Sequence, residues 1–122
     1  FDFQQSNNDI KIKINKTLIE WVIENIIKNA IDSMSGKGTI QIKTIKKNNH
    51  AKILITDSGS GIPYNIKNKI FEEGFTTKEK GWGLGLSFSK RIITVYHKGD
   101  IRVENSKNGK GGTTFELKIP IN

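Results

Sequence analysis

Asn25, Asn29 and Asp32 stand at i, i+4 and i+7. At about 100° per residue they fall within about 60° of arc on one side of a helix. Three short oxygen-bearing side chains gathered there can hold a hard cation such as Mg²⁺ through an amide oxygen and ordered water, leaving other coordination positions to phosphates. The same stripe also reads as solvated surface, although Asn is a mediocre helix former and a pair in mid-helix calls for a reason. A second candidate is Asp57-Ser58-Gly59-Ser60-Gly61. Ala51, Ile53 and Ile55 alternate ahead of Asp57, so its carboxylate shares their inward face. A buried acid requires a partner. At the mouth of an apolar cavity, beside glycines that let the backbone come close, it suits the exocyclic amine of a flat heterocycle. An ordinary Asp-x-Gly turn after a strand is the alternative.

Gly81-Trp82-Gly83-Leu84-Gly85-Leu86-Ser87 enters a helix. Glycines at a helix N-terminus expose backbone N–H groups where partial positive charge and unpaired donors bind phosphate. Read without that role the string is a hinge loop. It is not a dinucleotide fingerprint, since no strand runs directly into it, and no P-loop signature occurs in the chain. Before it lies Phe71-Glu72-Glu73-Gly74-Phe75-Thr76-Thr77-Lys78. The two Phe can anchor a loop to the core while Thr77 and Lys78 reach a polyphosphate as hydroxyl donor and point charge. Two core Phe and a solvated Lys are the plainer reading.

These segments need positioning. Ile10, Ile12 and Ile14 alternate with lysines as a strand. Thr17 and Glu20 form a capping box, and a helix follows to about Met34, with Val22, Ile23, Ile26, Ile27, Ala30, Ile31 and Met34 toward the core. Residues 39–46 and 51–57 read as strands joined by a polar turn at 47–50. Pro63 opens a short helix that ends near Phe71. A helix of about fourteen residues closes at Lys98-Gly99, a basic last turn before a left-handed cap. Residues 101–104 are a strand, and Phe115, Leu117 and Ile119 mark another. Hairpins demand antiparallel pairing and helices need a sheet face to cover. The fold expected is therefore an α/β two-layer sandwich, its mixed, mostly antiparallel sheet covered by helices on one face.

With 122 residues, 34% apolar and 26% charged, the chain suits one ordered domain. The absence of Cys excludes thiol catalysis and disulfides, and His50 and His97 are too few and too far apart for a His-rich metal site. A net charge of +8 suits an anionic partner without choosing among nucleotide, nucleic acid and anionic surface. No apolar run approaches the roughly 18 to 20 residues that span a bilayer. Because the chain opens at Phe1 rather than Met, it is expected to be part of a longer protein, with residues 1–8 a connection and 9–122 the domain.

In order and spacing, Glu24 to Asp32, then Asp57-Ser58-Gly59-Ser60-Gly61, then Phe71 to Lys78, then Gly83-Leu84-Gly85-Leu86, resemble the N, G1, F and G2 boxes of the catalytic ATP-binding domain of bacterial sensor histidine kinases. That fold is shared with DNA gyrase B, HSP90 and MutL, and Gly112 to Pro120 looks like its terminal hairpin strand. The resemblance covers Thr17 to Pro120. It implies ATP and Mg²⁺ as ligands. Asn29 would coordinate the metal with Asn25 in support, and Asp32 would lie beside them. Asp57 would accept from the adenine amino group, with Gly59, Gly61 and Ile62 shaping the pocket and Thr113 nearby. Gly83, Leu84, Gly85 and Leu86 would flank the phosphates, and Thr77 and Lys78 would belong to the lid.

In the ATPase branches of this fold a glutamate stands four residues before the metal-binding Asn, where this chain has Asn25. An amide is no general base at neutral pH, so phosphoryl transfer is expected over hydrolysis. Glu24 points about 100° away from the stripe. Asp32 departs from the basic or aromatic residue many relatives carry there. Neither His50 nor His97 has the helical His-Glu/Asp context of a phosphoacceptor. The resemblance therefore implies an acceptor His on dimerisation helices of the same parent, a response regulator receiver domain downstream, and a cytoplasmic setting. No nucleic acid or membrane contact by this domain is expected. Competing readings are an ATP-hydrolysing member of the fold, a Ser kinase of the anti-sigma type, and a basic nucleic-acid binder. The last has only the net charge in its favour, since lysines spread over nearly every segment.

Overall fold

The structure is a computed structural model that describes residues 2–5, 15–34, 36–59, 61–62, 67, 69–72, 85–105 and 112–120. Its elements are β1 (Asp2–Gln5), α1 (Lys16–Ser33), β2 (Ile40–Lys47), β3 (His50–Asp57), α2 (Gly85–Arg91), which runs on as a π-helical turn (Ile92–Tyr96), β4 (Asp100–Asn105) and β5 (Thr113–Pro120). The strands form one sheet in the order β1-β2-β3-β5-β4. Among the described residues only β1 pairs in parallel, with β2; the other three pairings there are antiparallel. The mixed, mostly antiparallel sheet expected from the sequence is thus observed.

Alternation decides which face is covered. On β5, Thr113, Phe115, Leu117 and Ile119 are all buried, and they stand opposite Asp57, Ile55, Ile53 and Ala51 of β3. From α1, Ile19, Val22, Ile26 and Ala30 are buried, joined by Ile92 and Ile93 of the π turn. Together with Ile40, Ile55, Ile101, Val103, Phe115, Leu117 and Ile119 these helical side chains make one core between sheet and helices. The opposite sheet face is polar: Lys52 pairs with Glu116 at 3.2 Å, and the Thr56 and Thr114 hydroxyls lie 3.0 Å apart.

Several local expectations are corrected. Helix α1 is capped by Asn15, whose Oδ1 accepts from the Leu18 N–H at 3.1 Å, so the start lies ahead of the Thr17–Glu20 box. Asn in extended backbone is among the best N-caps, and it fixes the start before Thr17 can. Asp2–Gln5, within the stretch expected to be a connection, form the edge strand β1, and the strand expected at Ile10 to Ile14 lies outside the described residues. The short helix after Pro63 lies largely outside them too; residues 69–72 form a turn closed by the Glu72 N–H on the Lys69 carbonyl at 2.9 Å.

The helix expected to run unbroken to Lys98 widens instead after Arg91. Four consecutive β-branched residues, Ile92 to Val95, crowd that stretch, and the His97 ring takes the Ile92 carbonyl at 2.8 Å through Nδ1. His97 is buried, and its Nε2 accepts from the Asn15 N–H at 3.1 Å. The closing residue in the left-handed region is Lys98, at φ 57°, while the Gly99 amide returns to the Ile93 carbonyl. A side chain in that region is strained. Lys98→Gly is therefore expected to stabilise the domain by about 0.5–1 kcal/mol. A urea midpoint raised at constant m-value is the expected reading, and a lowered one would contradict it.

Candidate active site

Asp57 is the last residue of β3, and the strand's alternation turns it inward as expected, to 6% exposure. Its Oδ1 accepts the Gly59 N–H at 2.8 Å. Burial pushes the carboxyl above its ordinary value, partly offset by hydrogen bonds from the Gly59 and Thr113 backbone amides. Thr113 is buried and directly opposite Asp57 in the sheet register. The loop after Asp57 is fastened on both sides. The Ser58 N–H reaches the Thr39 carbonyl at 3.1 Å, and Gly112 N–H bonds to the Gly59 carbonyl. Gly59 has no room for a side chain, since a Cβ there would meet Ser33 Oγ, and Met34 Cγ at 3.3 Å. Gly61, at φ 82°, takes the left-handed turn out of the loop. Ile62 then packs half-buried against the core.

On α1, Asn25 and Asn29 are half-buried beside the core stripe and Asp32 is exposed. Asn25 Nδ2 donates to Ser89 Oγ at 3.4 Å, and that hydroxyl donates to the Gly85 carbonyl at 2.8 Å. Gly85 begins α2, and a Cβ on it would stand 2.5 Å from Asn25 Oδ1. The Asn25 amide therefore abuts the backbone at the start of α2 with both its oxygen and its nitrogen. Leu86 follows, half-buried against the core.

Helix α1 thus touches both candidate segments. Its C-terminal end, Ser33 and Met34, meets the Asp57–Gly59 loop, and Asn25 meets the entry to α2. Eight to nine residues of α-helix separate them, about 12–14 Å along the axis, with Asn29 between. Phe71 stands edge-on to Phe115 with ring centroids 6.3 Å apart, and Lys90 Nζ lies over its ring at 5.6 Å. Thr77, Lys78, Gly83 and Leu84 lie outside the described residues. Among the described residues no group of three or more His, Asp or Glu side chains could hold a metal ion. The amide oxygens of Asn25 and Asn29 fit a Mg²⁺ that takes most of its ligands from phosphates and water.

Ser89 and Ser33 are not singled out by the sequence, and Met34 is read there only as a core residue. Ser89 left a signal: it lies three residues after Leu86 and four before Ile93, on the stripe that should be apolar. A family model described as histidine kinase-, DNA gyrase B- and HSP90-like ATPase matches residues 14–122. The chain belongs to this family. It is 42% identical over 112 residues to the signal transduction histidine-protein kinase AtoS of Escherichia coli, covering 91% of this chain and 18% of that protein. It is 39% identical over 103 residues to sporulation kinase C of Bacillus subtilis, covering 84% of this chain and 23% of the kinase. The chain thus spans about a fifth of the length of these relatives.

The catalytic domain of histidine kinase ThkA superposes with a TM-score of 0.87 at 36% identity, covering 98% of this chain and 76% of that one. ThkA in complex with the response regulator TrrA matches at 0.83 and 33%, covering 98% and 33%. This histidine-kinase-type catalytic domain has the α/β fold of those structures and is an ATP-binding domain by family. No helix among its described residues is long and apolar enough to cross a membrane.

Proposed function

We propose that this domain binds Mg-ATP and passes the γ-phosphate to a histidine on dimerisation helices of the same parent protein. The observation that carries the reading is the disposition along α1. An inward acid that can accept from adenine stands at one end, the α2 entry at the other, and an Asn between them, over the length of a nucleoside triphosphate. Asp57 accepts from the adenine amino group, while Thr113, Gly59, Gly61 and Ile62 shape the surrounding surface. Asn29 offers its amide oxygen to the metal, with Asn25 beside it and Asp32 further along α1. Gly85 and Leu86 flank the phosphates; Gly83, Leu84, Thr77 and Lys78, outside the described residues, are assigned to the phosphates on the sequence resemblance alone. Bound Mg²⁺ supplies charge neutralisation on the β- and γ-phosphates.

Transfer breaks the bond between the γ-phosphorus and the β-γ bridging oxygen and forms a bond from that phosphorus to an imidazole nitrogen, with ADP leaving. The residues of this chain contribute mainly by positioning and by balancing charge. Hydrolysis is disfavoured because Asn25, an amide with its nitrogen turned to Ser89, cannot take a proton from water, and Glu24 is exposed. His97 is buried with both ring nitrogens engaged, which supports an acceptor outside this chain. The phosphoryl group then goes to a receiver domain; the pairing of ThkA with a response regulator supports that partner. This work belongs to the cytoplasm, where ATP is.

The test mixes this chain, labelled γ-phosphate ATP and the parent's helical acceptor domain. Acid-labile label on an acceptor histidine is the expected result. Rapid release of free phosphate with no protein label would overturn the reading in favour of an ATPase.

A further inference from the structure

We propose that Ser89 is a positioning residue that sets which way the Asn25 amide faces, and so which atom this part of α1 offers to the nucleotide. The proposal rests on the nucleotide site described above. Ser89 is fully buried, at 0% exposure, on the inner side of α2. Its hydroxyl has a single proton, and the Gly85 carbonyl one turn back takes it at 2.8 Å. Toward Asn25 the Ser89 oxygen can therefore only accept.

That polarity fixes the amide. Nδ2 must be the atom turned to Ser89, at 3.4 Å, which leaves Oδ1 as the acceptor on the other side. The amide is further confined because its outer end faces Gly85, where a Cβ would stand 2.5 Å from Oδ1 and 2.6 Å from Nδ2. The relay runs one way, from the Asn25 NH₂ to the Ser89 hydroxyl to the Gly85 carbonyl. Its consequence is a fixed oxygen acceptor, the type of atom that receives a hydrogen bond from metal-bound water. An amide free to flip would present NH₂ part of the time, and a donor facing that water gains nothing.

Alanine at position 89 removes the polarity filter without removing Asn25. Titration calorimetry with ADP, with and without Mg²⁺, on wild type, Ser89→Ala, Asn25→Ala and the double variant tests this. Ser89→Ala is expected to lower Mg-ADP affinity about tenfold, to leave metal-free ADP affinity within about twofold, and to add nothing in the Asn25→Ala background. Ser89→Cys, which keeps a weak donor and acceptor, is expected to restore part of the loss. A readout without nucleotide comes from the Asn25 side-chain NH₂ resonances, expected to change in Ser89→Ala while the melting temperature shifts little. Equal losses with and without Mg²⁺, a further loss in the double variant, or unchanged affinity would overturn the proposal and leave the nucleotide site standing. A wild-type chain that binds no ADP at all would instead overturn the site itself, and the proposal with it.

Discussion

Asp57→Asn is expected to lower ATP and ADP affinity by roughly 10- to 150-fold, the loss of a hydrogen bond to a buried charge with a mismatch left behind. The substitution is isosteric, so the effect comes from polarity. The Gly59 amide already takes Oδ1 of Asp57 at 2.8 Å. An asparagine must keep its only oxygen there, which turns its NH₂ toward the place of the adenine amine. Two donors then face each other. The apo domain should tolerate the change well, because burial makes the ionised Asp57 carboxyl costly to the fold.

The sign follows from linkage. A carboxyl whose folded pKa lies above its unfolded value binds its proton more tightly in the native state, so this group's contribution to stability is largest at low pH. It is lost as pH rises through the window between the two values. At neutral pH the wild type carries the cost in full, and Asp57→Asn does not. Thermal melts at pH 7 should therefore place the apo variant at or above the wild type, whereas the two converge in acid. A variant that bound ADP normally, or that lost affinity only because it was unfolded, would contradict this account of the pocket.

Asn29→Ala is expected to act on the metal end. Adenine recognition stays intact, so metal-free ADP affinity should be nearly unchanged, while the gain in affinity on adding Mg²⁺ falls and phosphotransfer drops by about 10²–10³-fold. The asymmetry separates the two halves of the site. Asp57 affects every adenine nucleotide with or without metal, and Asn29 affects only metal complexes. Single-turnover transfer together with titrations in EDTA and in Mg²⁺ checks both halves. An equal loss in the two titrations would mean that Asn29 supports the helix and not the metal.

Much of this was legible in the sequence because period and register are simple physics. The inward direction of Asp57 follows from Ala51 and Ile55 two-residue spacing, and both are buried on its face. The half-buried Asn25 and Asn29 follow from the 3.6-residue turn. Contacts between segments distant in sequence were not legible. Nothing in the spacing says that Asn25 will lie on Gly85, or that Ser33 and Met34 will close on Gly59; those pairings exist only once the sheet has fixed where α1 and α2 cross. The Asn15 cap was passed over because Thr17 and Glu20 also satisfy a capping pattern two residues on. The π turn was missed because helical periodicity does not register crowding by Ile92 to Val95. The place of Lys98 in the left-handed region was missed because glycine next door is the better candidate by composition.

The most direct measurement is the affinity of the wild-type chain for ADP compared with inosine diphosphate, each in Mg²⁺. The two ligands carry the same phosphates and sugar; inosine presents a carbonyl oxygen where adenine presents its amine, and that oxygen would face the Asp57 carboxylate. If Asp57 reads the amine, ADP binds and inosine diphosphate is weaker by roughly a hundredfold. Equal affinity for the two would contradict the account.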